Sequence, residues 1–489
     1  MRQRFEVQLL IGQLPIEEFS LNPKSKSNLD DLFRSIHKLY CNPDYNSQLF
    51  GVLEKYIKKD KKNTGRKGMD LWVIFVLAQL RLCKDLTYED LHNLANNHRD
   101  LRHLMGVERE HRFERVEFSY QNIYDNVSSL SDQMVKEINE IVVKFGNTEV
   151  FKKKEGAASA LKTDSYVVET NVHFPTDYNL LYDSIRKCCD TVKKILVNYP
   201  EVKGYRKIKD WQKSLKNMMR SVGMISAKGG PNKEQRLQKA AQDYLAKAKL
   251  FEGKMKQSFL DFPAKDIRDG VLIEELKKYF TLMVKHIDLV NRRIILKEVI
   301  PHNEKLFSIF EQYTEWITKG KQRPSVELGK KLLITSNEFN LIVDFDIMES
   351  QADSQAVGDL AKRIQNQYHI GSWSFDKGFY SIENKTLLNE MAEKVIMPKK
   401  GKCNKEEKEE EHTKVFKKLR NKHSAVESNI NELESRGLNR CPDRSYGHFK
   451  TYVSLGICAY NLKKIGRELL RQQLALEKKK LEKKLKRAA

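Results

Sequence analysis

Residues 161–177, LKTDSYVVETNVHFPTD, constrain the fold more than any other stretch. Val167 and Val168, then Val172 and Phe174, are the β-branched and aromatic residues that favour an extended, half-buried backbone, and Pro175 turns the chain away. The spacing predicts a strand that carries Asp164. A carboxylate inside such a segment is costly to bury unless a cation or a donor compensates it. Alone, such an Asp reads first as a turn or capping residue. Its meaning depends on its company further along the chain.

Two other segments carry acidic residues in comparable settings. In GSWSFDKGFYSIEN (371–384) a short apolar run closes on Asp376. In KLRNKHSAVESNINELESRGLNR (418–440) Val426, Ile430 and Leu433 recur at helical spacing, with Glu427 at the edge of that apolar face. Two strand-end aspartates and a helix glutamate make an oxygen-only cage for two Mg²⁺ (or Mn²⁺) ions. Such ions clamp the attacking and leaving oxygens of a phosphodiester. Glu169, Asp177, Asp344, Asp346 and Asp353 also lie near strands and compete for membership of this set. Asp346, inside an apolar strand pattern, is the strongest rival.

The strings DSYVVETNVHFPTD (164–177), DKGFYSIEN (376–384) and HSAVESNINELESRGLNR (423–440) occur in that order, followed by YGHFKTYVSLGICAYNLKKIG (446–466). Together they resemble the DDE transposases of bacterial insertion sequences, of the ISNCY type, over about residues 66 to 466. The resemblance implies a ribonuclease-H-like catalytic domain in which Asp164, Asp376 and Glu427 are the catalytic triad and the metal ligands, and it favours Asp376 over Asp346. It implies cleavage at the element's ends and transfer of the freed 3′-hydroxyl into target DNA. Double-stranded DNA, as terminal inverted repeats and as target, is then the partner, and joining two ends calls for a homodimer on DNA. A ribonuclease-H-like nuclease without strand transfer and a catalytically decayed DNA-binding protein are the alternatives. Some relatives carry a tyrosine, an arginine, the glutamate and a lysine along the last helix. The corresponding positions here are Arg420, His423, Glu427 and Glu434, so only the glutamate matches.

Charge points the same way. The chain has 89 Lys and Arg against 66 Asp and Glu, a net charge of +23 over 489 residues. A protein this basic usually meets a polyanion, with nucleic acid the default. Hydrophobic residues make up 40% of the chain, enough for packed cores in two to four domains. The seven cysteines are scattered with no C-x-x-C pair, which speaks against a zinc site or a disulfide framework and for a reducing compartment. The amino terminus lacks the long apolar core of a signal peptide, and the run LWVIFVLAQLRLC (71–83) is too short to span a bilayer. The expected location is the bacterial cytoplasm, associated with the nucleoid.

The fold class expected is mixed α/β, a ribonuclease-H-like mixed sheet with helical additions. Residues 1–115 read as a helical, helix-turn-helix-like DNA-binding domain whose second helix Thr87 caps, and 116–160 as a helical connector. The basic link KKDKKNTGRKG (58–68) contributes Arg66 and Lys67 as DNA contacts. The core is expected at 161–178 and 325–460. Paired strands are read at 330–336 and 340–348, a helix at 354–367, strands at 370–376 and 394–398, and a helix at 379–393.

Between the two parts of the core, 179–324 reads as a polar, basic helical insertion. Residues 203–257 hold fifteen Lys or Arg against four acidic residues, with Tyr205 and Trp211 interleaved. Arg206 and Lys207 are expected to track the DNA backbone there. Lys399 and Lys400, after the last strand, and Arg420 and His423, ahead of Glu427, are further candidate phosphate contacts. The acidic run 405–412 reads as an exposed loop. Residues 461–489, with eleven basic and three acidic residues, read as a basic helical tail.

Overall fold

The computed structural model describes residues 3–5, 11–25, 27–57, 68–109, 114–259, 264–318, 325–365 and 367–488. Arg66 and Lys67, with most of the basic link, lie outside the described residues. The chain divides into two compact units, one made of residues 1–171 with 329–489 and the other of residues 172–328. Both helix and strand are present, as expected of a mixed α/β protein. Among the described residues no helix is long and apolar enough to cross a membrane.

The strands are β1 (Ser159–Thr170), β2 (Glu315–Thr318), β3 (Val326–Ser336), β4 (Ile342–Ile347), β5 (Ile370–Phe375), β6 (Val395–Ile396) and β7 (Arg440–Cys441). In the first unit they run β4-β3-β1-β5-β6 across a mixed sheet, with β7 beside the end of β1. β3 is antiparallel to β1, and β4 to β3, whereas β5 and then β6 run parallel to β1. The register is locked from the buried side. Trp373 on β5 donates its indole N–H to Thr163 Oγ1 at 2.8 Å, and that hydroxyl meets Thr335 Oγ1 of β3 at 2.8 Å. Because side chains alternate faces, a buried Thr163 sends Asp164 to the opposite face, and a one-residue slip would reverse both.

Gly329 is required by close approach rather than by a turn. It pairs with Glu169, and a Cβ there would collide with the Val168 carbonyl oxygen and stand 2.7 Å from Glu169 Cα.

The helical part of this unit carries the helix, turn, helix, short helix outline as Leu71–Cys83, Tyr88–Asn97 and Arg99–Leu104. Thr87 caps the second by accepting the Asp90 N–H at 3.1 Å. All thirteen residues of Leu71–Cys83 are buried, which fits a helix apolar on every side. Arg102, in the third, is fully buried and spends its guanidinium on Glu108 at 2.7 Å and on backbone carbonyls. The exposed positions of the second helix include Glu89, Asp90, Asn93 and Asn97, so its wet face carries no cation.

The helix Tyr446–Ala488 runs unbroken through the boundary expected at residue 461. Up to Ile465 most of its residues are buried, because it packs on the helices Asp30–Tyr40, Leu71–Cys83 and Asp132–Phe145. Asn461 shows why the expected tail begins too early. It is fully buried, accepts the Ile342 N–H at 2.8 Å and donates to Ile342 O at 2.9 Å, occupying the edge of β4. Only the last turns, with Leu476, Leu481 and Leu485 in solvent, behave as a basic tail.

The acidic run is also different from its expected form. Lys405–His412 is a helix, because Asn404 Oδ1 accepts the Glu407 N–H and Glu407 Oε2 accepts the Asn404 N–H, both at 2.8 Å. That reciprocal cap outweighs the repulsion along KEEKEEEH.

The second unit holds four long helices, Asp177–Asn198, Ile208–Ala227, Lys233–Phe259 and Ile267–Val290. Thr176 and Asp266 cap the first and last. Its expected polar character holds only for the surface. Leu181, Ile185, Leu215, Tyr244, Phe251 and Met283 form an apolar core of its own. Tyr205 belongs to that core and Trp211 packs against it, 5.7 Å from the Phe251 ring, with Lys254 Nζ over both their faces. These two aromatics point inward and are not available to stack on bases.

Candidate active site

Asp164 lies in the middle of β1 on the face that the buried Thr163 does not use. Thr163 pairs with Phe375, so the next residue of each strand, Asp164 and Asp376, comes out level on neighbouring parallel strands. Asp376 itself is exposed, at the point where β5 gives way to a short turn at Lys377–Phe379. The helix Lys414–Leu433 packs across β1, β5 and β6 through a face that includes Phe416, Val426, Asn429 and Leu433. Glu427 follows the fully buried Val426 and stands exposed beside that seam. Three carboxylates far apart in sequence thus belong to one sheet end and the helix over it.

The electrostatics record their proximity. Burial first, then the negative charges of Asp376, Asp353 and Glu427, push the Asp164 carboxyl up to about 7 from an ordinary 3.8. The Ser165 N–H, donating to Asp164 Oδ1 at 2.8 Å, pulls the other way and loses.

Asp353, by sequence one of the rivals, is drawn into this cluster by the fold. It is the first residue of the helix Asp353–Ile364, and its Oδ1 accepts from Ser165 Oγ at 2.8 Å and from Lys331 Nζ at 3.1 Å. A Cβ on Gly378 would stand 3.0 Å from its Oδ2, which puts the turn after Asp376 against it. The other rivals are engaged elsewhere. Asp344 and Asp346 share Arg363, at 2.9 and 3.2 Å. Asp177 pairs with Arg293 at 2.7 Å in the second unit, and Glu169 sits at the far end of β1 opposite Gly329 and Arg440.

His423 stands one turn before Glu427. Its Nδ1 lies 3.0 Å from Ser374 Oγ, and its Nε2 is buried with no hydrogen-bond partner. Burial lowers its basicity and Lys162 adds to this, against the pull of Asp376, so the ring is neutral near pH 7. Arg420 is exposed a turn earlier on the same helix. Lys400 is also exposed, but Lys399 is held by Glu407, Nζ to both carboxylate oxygens at 2.8 Å. Arg206 and Lys207 are exposed in the second unit, just ahead of the helix Ile208–Ala227.

Donor type suits a hard divalent cation, since the candidate side chains are oxygen donors, and burial, with their negative charges adding to it, raises the affinity of Asp164 for a proton. Among the described residues, no group of three or more His, Cys, Asp or Glu side chains is placed to hold a metal ion, and Asp164, Asp376 and Glu427 are no exception. The match is therefore one of chemistry and charge. Compared with known proteins, the chain matches no family model, no curated protein and no solved structure.

Proposed function

We propose that this chain is a metal-dependent DNA transposase of the DDE type, with Asp164, Asp376 and Glu427 as its catalytic carboxylates. The observation that carries the reading is the register of β1 and β5, which sets Asp164 level with Asp376 under the helix that bears Glu427, and the raised pKa of Asp164 beside acidic groups supports it. The strand order supports it too. An antiparallel β4-β3-β1 ribbon continued by parallel β5 and β6 is the order of a ribonuclease-H-like sheet, with Asp164 on β1 and Asp376 directly after β5.

Asp164, Asp376 and Glu427 would hold Mg²⁺ or Mn²⁺, with Asp353 beside them. Bound there, such a pair of ions supplies charge stabilisation at a phosphodiester and an activated water or 3′-hydroxyl. The chain's own residues supply the rest. β1 and β5 fix two carboxylates level with each other. The helix Lys414–Leu433 packs over the same strands with Glu427 and Arg420 both exposed, and Arg420 would meet a DNA phosphate. Arg206, Lys207 and Lys400 add exposed positive charge for the DNA backbone.

The test is a cleavage and joining assay on DNA that carries the element's terminal repeats, with Mg²⁺ or Mn²⁺. The wild-type chain nicks the ends and joins the 3′-hydroxyl to target DNA. Asp164→Asn binds the ends without cutting them, and cleavage retained by that variant removes Asp164 from the mechanism. Cutting without joining leaves the nuclease reading instead.

A further inference from the structure

The second unit holds a cleft that the catalytic reading does not use. It has a volume of about 330 Å³, within the range of small-ligand sites, and lies entirely among residues of that unit. Its walls are aromatic. Phe174 meets Trp316 edge to face with ring centres 5.4 Å apart, Trp316 stands 5.6 Å from Phe307, and Phe307 stands 5.2 Å from the His302 ring. Phe174 is 61% exposed, a large apolar surface left in water at the rim of a cleft. Arg293 and Lys305 line the same cleft. Arg293 is engaged by Asp177 at 2.7 Å, whereas Lys305 makes no ion pair among the described residues.

A flat aromatic ligand with a negative charge beside it fits this combination, and neither feature alone would specify it. The ring faces match a planar heterocycle, and the free ammonium of Lys305 and the exposed His302 match a phosphate. Duplex DNA hides its base faces in the stack, so only an unpaired base could reach such walls. We propose that the cleft binds one unpaired nucleobase of a DNA strand, stacked on the exposed ring of Phe174 with Trp316 at its edge, and with its adjoining phosphate at Lys305. This deepens the transposase reading by giving its inserted unit a single-strand contact, and it rests on that reading only for the source of the strand.

The experiment is a binding measurement on the full chain in EDTA, where no cleavage occurs, so its outcome is separate from that of the cleavage assay. A short single-stranded oligonucleotide carrying a 2-aminopurine is compared with the same sequence as a duplex, by anisotropy and by quenching of the 2-aminopurine. Wild type quenches the unpaired probe. Phe174→Ala, at an exposed position that the core does not need, weakens the single strand by about tenfold and abolishes quenching, while duplex affinity is unchanged. Phe174→Tyr restores both, and Lys305→Gln weakens the single strand without removing the residual quenching. Equal losses for single strand and duplex, or no loss with Phe174→Ala, overturn the proposal.

Discussion

Replacing Asp164 by Asn should make the metal-free protein more stable, increasingly so as the pH rises above about 4 and fully above about 7. In the unfolded chain this carboxyl loses its proton around 3.8, and in the folded protein it keeps it until about 7. Below about pH 4 both states are protonated and the site costs nothing. Between the two values the unfolded chain is charged while the folded one still holds its proton, so stability falls as pH rises, and above about 7 the penalty is complete. The gap corresponds to about 4 kcal/mol at full burial. Solvent reaching the half-buried group screens part of it, leaving an expected gain of about 2–4 kcal/mol for the variant at about pH 8. The Asn side-chain oxygen still accepts from the Ser165 N–H, so nothing offsets the gain.

Urea denaturation in EDTA at several pH values measures this. The two proteins coincide near pH 4 and diverge above it, with the wild type falling. Adding Mn²⁺ at about pH 8 then raises the wild type and moves Asp164→Asn far less, because ligand binding stabilises only the state that binds it. A variant no more stable than wild type at pH 8, or equally more stable at both ends, refutes the account of Asp164.

The remaining predictions concern its surroundings. Asp353→Asn removes one of the charges that hold Asp164 up, so the pH at which wild-type stability finishes falling moves downward, as the same denaturation series reads. Asp443→Ala strands Arg81, which is 5% exposed and bonded to that carboxylate at 2.7 Å, and should cost about 3–5 kcal/mol by urea unfolding at neutral pH. Trp373→Phe removes the indole donor to Thr163 while leaving the Thr163–Thr335 bond, and should cost about 1–3 kcal/mol with cleavage activity retained. Arg206→Ala with Lys207→Ala should lower the salt dependence of duplex binding by about one unit of slope for each phosphate no longer neutralised, seen in titrations at several salt concentrations.

The carboxylates at 164, 376 and 427 were legible because each sits where local pattern is strong: within or just after an apolar strand, or beside the apolar seam of a helix. Asp353 was not. It occupies the first turn of a helix, where an acidic residue ordinarily serves the helix dipole, and only the folded sheet brings it to Ser165 and Lys331. Tyr205 and Trp211 misled for a related reason. Aromatics spaced among lysines look the same whether they face DNA or a core, and here one ring lies in the core and the other packs against it, with the ammonium of Lys254 over both. The helix at 405–412 was readable, since Asn404 and Glu407 stand at capping-box spacing, but the density of like charge concealed it. The continuation of the carboxyl-terminal helix through Asn461 depended on a partner, the edge of β4, that no local pattern announces.

The pairing of Glu169 with Gly329 has a consequence for how this chain tolerates rearrangement. The polypeptide departs from β1 and comes back on β3 at adjacent rungs of one ladder, a gap of about 4.8 Å. A tight hairpin of about two residues bridges such a gap unaided. The intervening segment is in this sense a cassette spliced into a hairpin, although its β2 is hydrogen-bonded to β3, so a replacement must supply or do without that strand. Gly329 is the seam of that splice, and any replacement cassette must hand back a glycine at the same rung.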